Sequence, residues 1–130
     1  MTERTQHGLW ALRILSAVLL LGAGGIHLYL VFNGVGGVLG VMFTLNAIAG
    51  LVLAIAMVVL RGRLLQLATV LSLLFLIASL GALLLALTVG LFGITSTWDF
   101  MLVPETVIVE SIGVVVLAAT TVAVFRAPRD

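Results

Sequence analysis

The chain has 130 residues, of which 63% are hydrophobic and 8% are charged, and its mean hydropathy is +1.40. Soluble domains are about 45–50% apolar and about 25% charged, so this composition excludes an ordinary soluble domain and a disordered chain. The net charge of +1 also excludes the basic surface on which nucleic-acid binding depends. The composition therefore predicts an integral membrane protein.

Four apolar segments cover most of the chain, at residues 14–33, 38–60, 64–92 and 104–125. A helix of about 20 residues crosses a hydrocarbon core of about 30 Å, and each segment reaches that length. The remaining stretches are too short to form a folded domain outside the membrane. We predict an all-α four-transmembrane-helix bundle, a single transmembrane domain over residues 1–130 whose main partner is the lipid bilayer.

All six basic residues are arginines, and all fall on the same side of this four-span topology: Arg4, Arg13, Arg61, Arg63, Arg126 and Arg129. Short loops rich in basic residues stay in the cytoplasm, so both termini are predicted to be cytoplasmic. The absence of lysine, together with abundant Ala, Gly, Val and Leu, is typical of GC-rich bacterial genomes. The predicted location is therefore a bacterial plasma (inner) membrane.

Small residues recur at helical spacing in each span, and they predict the faces along which the helices pack. Helices in lipid approach closely where small side chains line the contact. The rows are Ala78, Ala82, Ala86 and Gly90 in span three, Asn46, Gly50 and Ala54 in span two, Ala23 and Gly24 in span one, and Thr106, Glu110 and Gly113 in span four. Such rows serve either the packing of this bundle or an oligomer interface, and the sequence leaves both open.

Polar residues from different spans lie at nearly the same predicted depth. From a rise of 1.5 Å per residue, His27 and Glu110 lie about 9 Å below the membrane edge and Asn46 about 12 Å below it. Thr88 in the third segment falls near that level. His27, Asn46, Glu110 and Thr88 are therefore the candidate site for a proton, an ion or a small ligand.

A carboxylate at this depth is costly, so Glu110 is expected to be protonated, paired or in contact with water. His27 is the only candidate cation at that level, and imidazole titrates near physiological pH, which makes a proton-sharing pair one interpretation. The alternative is structural, because polar side chains inside membranes often only link helices by hydrogen bonds.

Catalysis has little support in the sequence. Cysteine is absent, and neither a Gly-x-Ser-x-Gly nor an HExxH pattern occurs. One histidine and one glutamate are too few for a zinc site, which needs at least three protein ligands. The sequence thus predicts no metal site and identifies no cofactor, and it favours a protein that is not an enzyme.

The stretch Gly25–Leu30, followed by Gly40 and by Phe43–Asn46, resembles small uncharacterised four-span membrane proteins of GC-rich bacteria. The resemblance covers about the first half of the chain and implies no activity. The chain lacks the early membrane glutamate of small multidrug resistance transporters and the Gly/Thr/Phe-rich break of small fluoride channels.

Two functions stay open on these grounds. The first is a small bundle that binds or conducts a proton, ion or small ligand at the polar residues. The second is a non-catalytic accessory or scaffold subunit, either a homo-oligomer or part of a larger membrane complex, that docks through its small-residue rows. A lipid-modifying or quinone-linked enzyme with His27 as a base ranks last, because the sequence supplies no nucleophile.

Overall fold

Four long helices make up nearly all of the computed structural model, which describes residues 2–128. They are α1 (Glu3–Phe32), α2 (Gly37–Val59), α3 (Gly62–Leu87) and α4 (Val103–Arg126). Each helix is long and apolar enough to cross a membrane. Within residues 2–128 the only β-type pairing is an isolated bridge between Leu91 and Ile94. The predicted all-α four-helix membrane bundle is confirmed, whereas the side on which its termini lie stays a prediction.

Helix α1 begins well before the predicted first span. The hydroxyl of Thr2 accepts a hydrogen bond from the backbone N–H of Thr5 at 3.2 Å, which caps the helix, and Glu3 occupies the first turn. An acidic residue in the first turn is favoured by the helix dipole. The segment before residue 14 is therefore a helical extension of the span.

Helix α3 ends at Leu87, so the prediction that the third segment continues to residue 92 was wrong. Thr88 is the C-cap, and Gly90 adopts a positive φ of 90°. The N–H of Gly90 turns back to donate to the Leu85 carbonyl at 2.7 Å. The connection to α4 therefore spans residues 88–102 and is longer than the predicted loop of 93–103.

The helices form a ring that is incompletely closed. Helix α1 packs most extensively against α2 and also against α4, and α4 packs against α3. Of these four neighbouring pairs, α2 and α3 contact each other least, although only Leu60 and Arg61 connect them. The short linker holds these two helices together at one end of the bundle, and they diverge toward the other end.

The buried positions of α4 recur every three or four residues, as in left-handed helical bundles. They are Val103, Thr106, Glu110, Gly113, Leu117, Thr120 and Val124. On α3 the buried positions run from Leu65 to Leu76 and then stop until Ala86. Along the gap between Leu76 and Ala86, α3 borders a cavity on the side of α2.

Glycine permits the closest approach in the bundle, between α1 and α2. A Cβ atom on Gly50 would lie 2.9 Å from the backbone oxygen of Leu20, and one on Gly24 would lie 3.3 Å from that of Ala47. Close backbone approach is the usual role of glycine at helix contacts in membranes. The small-residue rows of spans one and two thus form a packing seam.

The arginine-bearing ends of the helices lie together, because residues from the start of α1, the linker before α3 and the end of α4 line one shared cavity. Arg13 is only 6% exposed, and its guanidinium holds the end of α2. Nε donates to the Met57 carbonyl at 2.8 Å, and Nη2 donates to those of Val58 at 3.2 Å and Leu60 at 2.8 Å. The sixth arginine of the predicted cluster, Arg129, lies outside the described residues.

Candidate functional site

A cavity of about 340 Å³ lies where α2 and α3 diverge, and we refer to it as the α2–α3 cavity. Its volume is at the lower end of the range of small-molecule sites. Most of its lining is apolar, with a few polar side chains among hydrophobic ones. The lining residues are His27, Leu30, Leu39, Met42, Phe43, Asn46, Phe75, Ala78, Ser79, Ala82, Leu83, Ala86, Leu91, Ile94, Thr95, Ser96, Phe100 and Thr106.

The alanine row of α3 explains why there is space here. Ala78, Ala82 and Ala86 all face the cavity, so the predicted packing face is instead a wall with short side chains. On α2, the ring of Phe43 packs edge-on against His27 of α1, with the ring centroids 4.9 Å apart. The largest side chain available on that face of α2 is thereby directed toward α1, and the gap opposite the alanines stays open.

The connection between α3 and α4 covers one end of the cavity. Leu91 and Ile94 hydrogen-bond to each other through their backbones at 2.9 and 2.8 Å, which folds the segment into a compact turn. The N–H of Ser96 then donates to the Ala86 carbonyl at 2.9 Å and fastens the turn to α3. Five residues of this segment belong to the lining, which makes it the cover of the site.

His27 is 9% exposed and presents a defined hydrogen-bonding state. Its Nδ1 lies 2.7 Å from the carbonyl oxygen of Ala23. Because a carbonyl oxygen can only accept, Nδ1 carries the hydrogen, and in the neutral ring Nε2 is left as an acceptor. No described residue donates to Nε2. This histidine therefore offers the cavity an unoccupied acceptor.

Asn46 connects the two diverging helices. Its Nδ2 donates to the hydroxyl of Ser79 at 2.7 Å, which is the side-chain hydrogen bond between α2 and α3. Its Oδ1 is buried and has no hydrogen-bond partner among residues 2–128. A buried acceptor without a partner costs about 1–3 kcal/mol, so this oxygen is suited to a donor from a bound molecule.

Glu110 belongs to a different part of the bundle from His27 and Asn46. It is completely buried on the face of α4 that carries Gly113, whose position contacts Leu76 of α3 and Leu19 of α1. Neither carboxyl oxygen has a hydrogen-bond partner in the described chain. Thr106, one turn earlier on the same face, reaches the cavity lining, whereas Glu110 does not. The proton-sharing pair of His27 and Glu110 considered above is thus not formed.

Thr88 also lies apart from the cavity. It is exposed at the end of α3, where its hydroxyl donates to the Leu84 carbonyl at 2.7 Å. Such a bond back to the preceding turn is common for threonine in helices and satisfies the hydroxyl locally. The structure therefore brings together two of the four predicted site residues, His27 and Asn46, and separates Thr88 and Glu110 from them.

Sequence reasoning missed the remaining polar groups of the lining. Ser79, Thr95, Ser96 and Thr106 each reach the cavity. Ser79 falls about 12 Å below the end of α3, a depth that matches Asn46, so the same depth argument would have found it. Thr95 and Ser96 lie in the connection between α3 and α4, where the rise per residue of a helix gives no depth.

The lining contains no charged side chain, since the described Asp, Glu and Arg residues all lie elsewhere. Nor do residues 2–128 contain a group of three His, Asp or Glu side chains that could hold a metal ion. The cavity combines apolar surface with His27 and Asn46, which each have an unoccupied acceptor, and with the hydroxyl-bearing side chains of Ser79, Thr95, Ser96 and Thr106. No family model, characterised protein or solved structure matches the chain at a significant level.

Proposed function

We propose that this multi-pass membrane protein binds a small, uncharged, lipophilic molecule bearing a hydroxyl group in the α2–α3 cavity. The observation that carries the proposal is the buried Oδ1 of Asn46, which has no partner among the described residues and belongs to a residue that lines a mostly apolar cavity. Ligand sites of this kind combine apolar walls with a few placed polar groups that fix orientation. We further propose that the membrane is a bacterial plasma membrane with both termini inside, which the arginine distribution supports.

The donors and acceptors of the lining select the chemistry of the ligand. Nε2 of neutral His27 and Oδ1 of Asn46 both accept, so they require a donor. The Ser79 hydroxyl, which already accepts from Asn46, keeps its own hydrogen for an acceptor. A hydroxyl group both donates and accepts, and therefore satisfies this set better than an ether, an ester or a hydrocarbon.

The position of the cavity favours entry from the bilayer. Met42 of α2 and Ala78 of α3 line the cavity and are exposed residues within the spans. At the level of the spans, an exposed residue faces lipid. A lipophilic molecule already dissolved in the membrane can therefore reach the cavity between α2 and α3 without crossing water.

Ligand binding has more support than conduction of a proton or an ion. A conduction path requires titratable or charged groups that follow one another, and the cavity lining contains a single histidine. Glu110 is buried on α4 and does not belong to the lining. The accessory or scaffold function remains the alternative, and it requires no occupied cavity.

The proposal is tested with two probes that differ only in the donor: 4-octylphenol and its methyl ether. Binding to the purified full-length protein in detergent is measured by isothermal titration calorimetry. We expect the phenol to bind about tenfold more tightly than the ether, the factor that corresponds to one hydrogen bond of about 1.4 kcal/mol. Asn46→Leu and His27→Leu should remove this preference and leave the affinity for the ether nearly unchanged.

Two control variants define the site. Thr121→Ala removes a hydroxyl that donates to the Leu117 carbonyl outside the lining, and it should keep the preference for the phenol. Glu110→Gln should also keep it, and a loss of affinity there would extend the site to Glu110. Equal affinity for both probes, or binding of neither, contradicts the proposal and favours the accessory or scaffold function.

A further inference from the structure

A second cavity, of about 440 Å³, lies at the opposite end of the bundle, and its chemistry differs from that of the first. We refer to it as the arginine cavity. Its lining is more polar and collects residues from three helices and from the linker between α2 and α3. The lining residues are Gln6, His7, Leu9, Trp10, Arg13, Arg61, Gly62, Leu65, Gln66, Val124, Ala127 and Pro128.

Two guanidinium groups line this cavity, and no carboxylate of the described residues does. Arg13 is almost completely buried, and its Nε and Nη2 are used by backbone carbonyls at the end of α2. Its Nη1 donates to none of residues 2–128. Arg61 is exposed and forms no ion pair in the described part of the chain. The two positive charges thus share one space without a compensating anion from residues 2–128.

The linker between α2 and α3 adds backbone N–H groups, which favour an anion as the two guanidinium groups do. Gly62, at the start of α3, lines the cavity, and no side chain caps this end of the helix. The first N–H groups of a helix have no intrahelical acceptor and lie at the positive end of its dipole. An anion in the arginine cavity would therefore meet guanidinium groups and free backbone N–H groups together.

Apolar and aromatic side chains complete the cavity. The guanidinium of Arg13 lies 4.1 Å from the centre of the Trp10 ring. Tryptophan and arginine near the end of a span are typical of the level at which lipid headgroups lie. Leu9, Leu65 and Val124 supply apolar walls next to the polar groups. This combination matches a ligand with a charged head and an apolar body.

We propose that the arginine cavity binds a phosphate-bearing ligand, and that the phosphate is held by Arg61, by the free Nη1 of Arg13 and by the start of α3. Arginine recognises phosphate through several charge-assisted hydrogen bonds at once. The phosphate belongs either to an anionic phospholipid of the membrane or to a soluble phosphate compound. The inference is independent of the function proposed for the α2–α3 cavity, because the two linings share no residue.

The test uses native mass spectrometry of the full-length protein in detergent, titrated with phosphatidylglycerol, phosphatidylcholine or inorganic phosphate. We expect phosphatidylglycerol to bind at least tenfold more tightly than the zwitterionic phosphatidylcholine. Arg61→Gln should weaken phosphatidylglycerol binding about tenfold, the factor given by 1.4 kcal/mol of lost interaction. Arg63→Gln removes the same charge two residues away, outside the lining, and should change the affinity less than twofold.

The competition arm identifies the source of the phosphate. If millimolar inorganic phosphate displaces phosphatidylglycerol from the wild-type protein and not from Arg61→Gln, the cavity binds the phosphate group from either source. If the lipid stays bound under inorganic phosphate, the site requires the acyl chains and its ligand is the phospholipid. Equal affinity for the two lipids, or equal losses in Arg61→Gln and Arg63→Gln, would overturn the proposal.

Discussion

Asn46 and Ser79 join two helices that otherwise separate, through a 2.7 Å hydrogen bond from the amide Nδ2 to the hydroxyl oxygen. The bond links α2 to α3, and both residues belong to the lining of the α2–α3 cavity. It therefore sets the distance between the walls of the site, and at the same time it leaves Oδ1 of Asn46 without a partner. This pair therefore contributes both to helix packing and to the candidate binding site.

The pair gives the first prediction, on coupling between α2 and α3. Asn46→Ala and Ser79→Ala should each lower the free energy of unfolding, and the double variant should lose less than the sum, with a coupling of about 0.6–1.7 kcal/mol. Unfolding in SDS titrations of micelle-embedded protein measures all four members of the cycle. Strict additivity would show that the two side chains do not interact in the membrane.

Arg13 gives the second prediction, because three backbone carbonyls at the end of α2 depend on its guanidinium. The glutamine side chain of Arg13→Gln cannot make these three hydrogen bonds. We expect the substitution to lower the free energy of unfolding by about 3 kcal/mol, because hydrogen bonds from charged groups contribute about 1.5–3 kcal/mol each. Hydrogen exchange should increase at the linker that follows α2. Arg63→Gln, an exposed charge, is the control and should stay within about 0.5 kcal/mol of wild type.

The glycines provide the third prediction, as a ranked series of substitutions by alanine. Gly50→Ala places a Cβ atom 2.9 Å from backbone of α1 and should destabilise by about 1–3 kcal/mol. Gly81→Ala meets nothing within 4 Å and should stabilise by about 0.5–1 kcal/mol, because alanine is the better helix former. Gly113→Ala would have its tightest contact, at 2.7 Å, with the flexible end of the Leu76 side chain, and its effect should fall between the other two. Thermal unfolding in detergent ranks the three variants by stability. A Gly50→Ala variant as stable as the wild type would contradict the close contact between α1 and α2 at Gly50.

The fourth prediction concerns the effect of Glu110 on the free energy of unfolding. Its two oxygens are buried without partners among the described residues, so replacing the side chain by an apolar one of similar volume removes a cost. We expect Glu110→Leu to raise the free energy of unfolding by about 1–3 kcal/mol, whereas Glu110→Gln should stay close to wild type. SDS unfolding at one pH measures both. A destabilised Glu110→Leu together with a normal Glu110→Gln would mean that the carboxyl group has a polar partner in the membrane.

The architecture follows from the sequence because hydrocarbon imposes it. A backbone in lipid must satisfy its own hydrogen bonds, so apolar segments of about 20 residues become helices whatever their partners are. The bounds of α2 and α4 accordingly lie within a residue of those predicted. The ends that differ depend on local caps, the hydroxyl of Thr2 before α1 and the turn from Thr88 to Gly90 after α3.

Only the tertiary structure determines which polar side chains line the same cavity. Depth along a helix can be counted from the sequence, and it gives His27 and Asn46 similar depths; both residues line the α2–α3 cavity. The direction in which a side chain points depends on the rotation of its helix, and that rotation follows from packing contacts such as the approach of Gly50 to Leu20. Equal depth therefore did not bring Glu110 to the cavity, and the alanine row of α3 lined a space instead of closing one. Composition and length determine that this chain spans a membrane four times, and the packing of unequal side chains determines where the bundle leaves room for a ligand.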